Sequence, residues 1–191
     1  MYYPGAFVRL VPLIALTSLL GSLVGRQFPY REFSNDVQEL MEAREFLTDD
    51  DVVLGLIMCD ERDAGCASAQ ASVTHPLSQA TGFLMAHTGA ADLTLYEGFF
   101  NYFPLQFRDS TTPLDRLFPA VAETSTVPSV DVSRYELETG IEIDVVVIWG
   151  WDAVADDASL TELDDLRADL AAGYRLVHQS QGGHVSVFER V

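Results

Sequence analysis

The sequence predicts an α/β domain, a layered mixed sheet with flanking helices and a C-terminal antiparallel hairpin, preceded by an N-terminal hydrophobic helix. Two apolar runs, "VVLGLIM" from Val52 and "VVVIWGW" within 141–151, have the length and composition of strands buried on both faces. Leucines at helical spacing follow the second run, and two alternating segments near the C-terminus flank the turn sequence "QGG". The succession of strand, helix and strand favours a βαβ crossover.

The first element is an uncharged run of sixteen residues between Arg9 and Arg26, "LVPLIALTSLLGSLVG". A bilayer-crossing helix needs about 20 residues, and Ala6 to Gly25 reaches that length if the Arg9 side chain extends to the interface. Aromatic residues flank the run at both ends, as they do at membrane interfaces. We therefore predict a membrane anchor and juxtamembrane segment over 1–33 and a soluble domain over 34–191. A buried core helix and a cleaved signal peptide are the alternatives.

The next predicted elements follow in chain order. A helix over 36–47 is capped by Ser34 or Asn35, and a buried strand covers 52–58. After a loop, a helix over 77–87 is ended by Gly89. A strand over 91–98 and an extended stretch over 99–108 come next, and 109–133 is irregular because proline, serine and threonine dominate it.

The last third is the most regular part of the chain. A strand over 141–151 leads to a helix that ends at Gly173, with Leu160, Leu163, Leu166 and Leu170 on its apolar stripe. The closing hairpin pairs "YRLVHQS" with "HVSVFERV", which predicts that His178 and His184 face each other across it.

Charge limits the classes of partner. The chain has 29 acidic residues and 11 arginines with no lysine, giving a formal net charge of −18. Phosphate recognition requires a basic surface, so nucleic acid is excluded as a partner. The acidic composition favours a protein adapted to high salt, in which ions screen the repulsion between carboxylates. GC-rich codon usage is an alternative explanation for the arginine bias.

Two cysteines, Cys59 and Cys66, lie within "CDERDAGC". Outside the cell they would form a disulfide across this small loop, and otherwise they are free thiols. No further cysteine or histidine follows at a spacing typical of a metal site, so no metal is assigned.

The candidate ligand-binding residues are Trp149, Trp151, Asp152 and His75. The two tryptophans alternate with Gly150 and could line a platform for a glycan. Asp152 follows the central strand at its carboxyl end, where open α/β sheets bind ligands. Asp152, Asp156 and Asp157 could also hold a divalent cation, although a solvated acidic loop before a helix N-terminus is the favoured explanation. His75 lies in the 59–75 loop.

An enzyme is the alternative from a different class. His75, Asp92 and Glu97 carry the chemistry of a small metal-assisted hydrolase. The chain has no GxSxG, GxGxxG or P-loop motif, however, so no catalytic residue and no cofactor is assigned.

Several segments together resemble a known arrangement: "HPLSQATGFLMAHTGAADL", "YEGFFNYFPLQFR", "IDVVVIWGW" and "YRLVHQSQGGHVSVFER" behind a hydrophobic helix. The chain resembles the soluble C-terminal domain that follows the last span of multi-span GT-C glycosyltransferases, of the protein mannosyltransferase kind, and of related envelope proteins. In those enzymes the catalytic acids lie in an early loop of the membrane domain, which has no counterpart here.

The resemblance implies a membrane-anchored, extracytoplasmic module that binds or assembles components of cell-envelope glycan machinery and does not transfer sugars alone. Its expected partners are membrane lipid, through Ala6 to Gly25, and a glycan or a membrane protein. A structural subunit of a larger membrane complex is the alternative.

Overall fold

The computed structural model of the chain describes residues 17–18, 21, 34–58, 80–94, 107–108, 110–118 and 129–191. The chain separates into two compact units, Met1–Val37 and Gln38–Val191. In the first unit, residues 17–18, 21 and 34–37 are helical. The second unit contains the sheet and its helices.

The predicted membrane anchor falls almost entirely outside the described residues, since only 17, 18 and 21 of Ala6 to Gly25 are described. Within the described part of the chain, no helix has both the length and the apolar character needed to cross a bilayer. The membrane helix therefore stays a prediction. Cys59, Cys66, His75 and Glu97 also lie outside the described residues.

The described strands form one five-stranded mixed sheet, which confirms the predicted class. The strands are β1 (Val52–Ile57), β2 (Ala91–Asp92), β3 (Val145–Trp149), β4 (Tyr174–Gln179) and β5 (Val185–Arg190). Their order across the sheet is β2-β1-β3-β5-β4. β1 runs parallel to β2 and β3, whereas β5 runs antiparallel to β3 and β4. β4 is thus parallel to β3, and the predicted crossover has β5 inserted between its two strands.

The described helices include three that the sequence did not predict. Residues 34–40 are helical and continue into a 3-10 turn at Met41–Phe46; we call residues 38–46 the 38–46 segment. The α-helices that follow are α1 (Ala80–Thr88), α2 (Leu114–Leu117), α3 (Val132–Thr139), α4 (Trp151–Val154) and α5 (Asp164–Gly173). The helices α1 and α5 confirm predicted elements, and α2, α3 and α4 are the additional ones.

Helices pack on both faces of the sheet. On one face, the core consists of alternate residues of β1, β3 and β5 together with α3 and α5: Leu54, Leu56, Val146, Ile148, Phe188, Tyr135, Leu166 and Leu170. The predicted leucine stripe is confirmed. Leu166 and Leu170 of α5 are buried, as is Leu163 in the 3-10 turn before it, and Leu160 is partly buried against the same core. Burying a leucine completely contributes about 1.5–3 kcal/mol.

The helix α1 and the 38–46 segment cover the opposite face. A Cβ atom on Gly55 in β1 would lie 2.7 Å from Cγ2 of Thr81 in α1, so glycine permits the close approach of this helix to the sheet. The 38–46 segment contacts both α1 and β5 and buries Leu40 and Ala43. This segment thereby reaches the hairpin and places Glu39 against His184.

The hairpin is confirmed, but one detail of its predicted register is wrong. His178 of β4 pairs with Val187 of β5, and an irregularity between Leu176 and His178 shifts the register. His184 lies in the turn before β5, next to Gly183 with φ +83°. The two histidines therefore do not face each other.

Candidate functional site

The carboxyl ends of β1 and β3 lie side by side, since the strands are parallel neighbours with Ile57 opposite Trp149. From β1 the chain goes on to β2 on one side, and from β3 it goes on to the hairpin on the other. Such a reversal of direction is the topological switch point at which open α/β sheets bind ligands. The two loops predicted to bind a ligand, 59–75 and 149–157, follow these two strand ends.

Gly150 follows β3 directly and lies between Met58 at the end of β1 and His184 in the turn before β5. Its N–H donates to the carbonyl of His184 (2.6 Å), while the N–H of Met58 donates to the carbonyl of Trp149 (2.8 Å). Gly150 has φ +76°, and a Cβ atom there would lie 2.3 Å from the carbonyl oxygen of Met58. Only glycine fits this position, and through it His184 is held at the switch point.

The His184 ring is fixed by two contacts. Its Nδ1 lies 3.2 Å from Oε2 of Glu39 in the 38–46 segment. Its face stacks on the indole of Trp149, with ring centroids 5.2 Å apart and planes at 9°. The His184 side chain is nevertheless 47% exposed. Nδ1 with its proton donates to the carboxylate, which leaves Nε2 as the nitrogen available to a ligand.

The Glu39 carboxylate is itself held in place. Its Oε1 accepts hydrogen bonds from the hydroxyl of Ser180 and from the backbone N–H of His184 (3.1 Å). Burial by itself would raise the pKa of Glu39. The hydrogen bonds from Ser180 and His184, together with the attraction of the His184 ring, outweigh burial and lower that pKa from its ordinary value of 4.5. Glu39 is therefore ionised at neutral pH.

The substitution Glu39→Gln should lower the free energy of unfolding at pH 7 by about 1 kcal/mol. Because the folded pKa of Glu39 is depressed, its contribution is complete above pH 4.5, the unfolded value, and is lost as the pH falls through the folded pKa. The stability of the wild type should thus fall more steeply on acidification than that of the variant. Urea unfolding at pH values from 7 to 3 measures both curves.

Glu162→Gln is the matched control, because Glu162 is exposed and undergoes the same change of charge. We expect its stability curve to parallel that of the wild type. Parallel curves for Glu39→Gln and the wild type below pH 4.5 would contradict the assigned role of Glu39.

The three predicted ligand residues that are described have different surroundings. Trp149 is only 7% exposed and lies on the sheet face opposite to Ile148, which belongs to the α5-side core. Trp151 packs against that core and contacts Phe188 edge-on, with centroids 5.9 Å apart and planes at 85°. The two indoles point to opposite faces of the sheet and do not form one flat platform.

Asp152 is exposed and lies beside the turn that carries His184, since a Cβ atom on Gly183 would be 3.4 Å from its Oδ2. Asp157 instead accepts hydrogen bonds from the N–H and hydroxyl of Ser159, at 2.9 and 2.6 Å. Asp92 accepts hydrogen bonds from the N–H and hydroxyl of Thr94, at 2.8 and 2.7 Å. Among the described residues, no group of three or more potential metal ligands comes together.

Sequence reasoning did not identify Glu39 and Ser180 as part of this site. They lie 141 residues apart in the chain, and Glu39 and His184 lie 145 apart. No local motif joins them, because the packing of the 38–46 segment on the hairpin brings them together. Comparisons with protein-family models, with curated proteins and with solved structures found no match for this chain.

Proposed function

We propose that the chain is a membrane-anchored, extracytoplasmic module that binds a saccharide for cell-envelope glycan machinery. The parallel pairing of β1 and β3 carries the binding part of the proposal. It places the end of β1 next to the end of β3 and the 149–157 loop at a switch point, the usual ligand position in this class of sheet.

The groups around the switch point suit an uncharged polyhydroxylated ligand. His184 offers an oriented ring nitrogen, Asp152 offers an exposed carboxylate, and Trp151 offers a partly exposed indole. Hydroxyl groups both donate and accept hydrogen bonds, so a sugar can satisfy an imidazole and a carboxylate together. A phosphate would meet the ionised Glu39 and a net charge of −18, which disfavours an anionic ligand.

The membrane part of the proposal rests on the uncharged run Ala6 to Gly25 and its aromatic flanks. Such a run prefers lipid, whereas the acidic remainder of the chain stays in water. The resemblance to domains that follow the last span of GT-C glycosyltransferases supports the extracytoplasmic side and the link to glycans.

The full-length chain should float with phosphatidylcholine–phosphatidylglycerol vesicles in a density gradient. The floated protein should retain neutral oligosaccharides, mannose oligomers among them, on a glycan array. Because His184 is a principal polar group of the site, His184→Ala should float equally well but bind the retained saccharide about tenfold more weakly, as expected for one lost hydrogen bond.

Glu162→Ala, at an exposed position, serves as the matched variant and should bind like the wild type. Protein that stays at the bottom of the gradient would refute the anchor. Floated protein that retains no saccharide but co-purifies with a stable protein partner would favour a structural subunit instead.

A further inference from the structure

We infer that His184 is an acid–base group that promotes the attack of water on a carboxylic ester bound at the switch point. The inference goes beyond saccharide binding, because it assigns a reaction to the site. It rests on the carboxylate–imidazole pair of Glu39 and His184, on the position of that pair beside the end of β3, and on the exposure of the ring.

The pair has the geometry of an oriented general base. Glu39 uses Oε1 for Ser180 and for the backbone of His184, so Oε2 is left for Nδ1 of the ring at 3.2 Å. The Glu39 side chain is 16% exposed, whereas the His184 side chain is 47% exposed. A carboxylate that holds Nδ1 in this way fixes the tautomer and directs Nε2 outwards as the acceptor of a proton.

His178 provides a contrast on the same hairpin. Its Nε2 is buried and lies 3.5 Å from Oε2 of Glu42, beyond ordinary hydrogen-bond distance, and its ring stacks on Phe46. The 38–46 segment thus covers the Nε2 of His178 but contacts His184 through Nδ1. Of the two histidines, His184 has the orientation that proton transfer to a substrate requires.

Ser180 is not suited to act as a nucleophile. It is 5% exposed, and its hydroxyl donates to Glu39 rather than to the His184 ring. Its oxygen also accepts a hydrogen bond from the N–H of Val185 (2.9 Å). Water is therefore the attacking group, and Glu39 is a positioning residue.

The proposed step is a general-base hydrolysis. As the oxygen of water bonds to the acyl carbon, its proton passes to Nε2 of His184. The tetrahedral adduct then collapses, the bond between the acyl carbon and the ester oxygen breaks, and the leaving oxygen takes the proton from Nε2. One ester and one water give one carboxylic acid and one alcohol, and the imidazole is regenerated.

The chemistry of the site favours an ester over other hydrolysable bonds. Glycosidic cleavage ordinarily needs two carboxylic groups on opposite sides of the bond, one of them protonated. Glu39 is ionised and occupied by Ser180 and His184. A phosphoester would bring negative charge to an acidic chain. A single imidazole base is sufficient to hydrolyse a carboxylic ester, in which an acyl group is bonded to the oxygen of an alcohol or a sugar. We therefore assign this class of substrate.

The test uses the full-length protein and p-nitrophenyl acetate, followed by the release of p-nitrophenol. His184→Ala should lower kcat/KM about 100-fold, within the range for loss of an acid–base group, and added imidazole should restore part of the rate. Glu39→Gln should lower kcat about tenfold and leave KM unchanged, because it loosens the ring without touching the substrate. His87→Ala, which removes an exposed histidine of α1, should react like the wild type.

A rate that His184→Ala leaves within twofold of the wild type overturns the inference, as does an equal loss in His87→Ala. The rates of the two variants are compared only when their circular dichroism spectra match, so that unfolding is not mistaken for loss of the base. A wild type that retains saccharide but does not hydrolyse the ester refutes the reaction and leaves the proposed function standing. A wild type that hydrolyses the ester but retains no saccharide supports the reaction and refutes saccharide binding.

Discussion

Replacing Gly150 by alanine should lower the free energy of unfolding by about 3–5 kcal/mol, a large part of the 5–15 kcal/mol of a typical domain. Two separate costs add. The backbone has φ +76°, where a residue with a Cβ atom loses about 1–2 kcal/mol. The new Cβ would also lie 2.3 Å from the carbonyl oxygen of Met58, and main chain cannot rotate away as a side chain can. The backbone must therefore shift, which stretches the hydrogen bonds that join Gly150 to His184 and Trp149 to Met58.

Two other glycines separate these costs. Gly140 has φ +69° with no atom within 4 Å of a Cβ, so Gly140→Ala should show the backbone cost alone, about 1 kcal/mol. Gly173 has neither feature, and Gly173→Ala at the end of α5 should be neutral or slightly stabilising. Urea unfolding midpoints at constant slope give all three values. A Gly150→Ala loss no larger than that of Gly140→Ala would mean that the contact with Met58 does not constrain the strand end.

The predicted elements that the structure confirms have a local signal in the sequence, either a hydrophobic pattern set by burial or a turn motif. In β3 all five residues, Val145–Trp149, are buried, as a central strand requires. The α5 stripe is recognisable because a helix on a sheet must repeat its apolar residues every three or four positions. The hairpin is recognisable from its turn, in which Gly183 adopts φ +83°.

Helix α3 escaped prediction because little of its stability comes from a long apolar stripe. Only Val132 and Tyr135 are buried among its eight residues. Its start is fixed by hydrogen bonds instead: Asp131 accepts from the N–H of Arg134, and Asp169 of α5 accepts from the N–H of Val132 (both 2.8 Å). The second of these bonds joins residues 37 apart in the chain, so a local pattern does not reveal it.

The candidate site was predictable only in part for the same reason. Asp152 and the tryptophans follow a recognisable strand, so their location at the carboxyl end of β3 could be expected from the sequence. The order β2-β1-β3-β5-β4 is set by packing between distant segments, and it determines that β1 and β3 share the switch point. Glu39 joins the site because the 38–46 segment lies across the hairpin, and this requires the tertiary structure.

Replacing Arg167 by methionine should lower the free energy of unfolding by about 2–4 kcal/mol, because it removes the donor that holds the chain after α4. The guanidinium of Arg167 uses all five of its N–H groups, with a side chain only 21% exposed. Four of them donate over 2.8–3.0 Å to backbone carbonyls, those of Val154, Ala155, Asp157 and Leu160. The fifth reaches the exposed carboxylate of Asp164 at 3.1 Å.

Two variants distinguish the hydrogen bonds of the planar Arg167 guanidinium from the effect of its positive charge. Arg167→Lys keeps the positive charge but loses the planar set of donors, so it should recover less than half of the loss. Arg175→Met removes an arginine that is 71% exposed and pairs with Glu189 at 3.2 Å, and it should cost less than about 1 kcal/mol.

Hydrogen exchange measures the local effect of Arg167→Met. In this variant the amides of 154–160 should exchange faster, while those of β3 keep their protection until the protein unfolds globally. If Arg167→Lys proved as stable as the wild type, attraction between charges and not the carbonyl contacts would hold this loop, and its course beside the switch point would need another explanation.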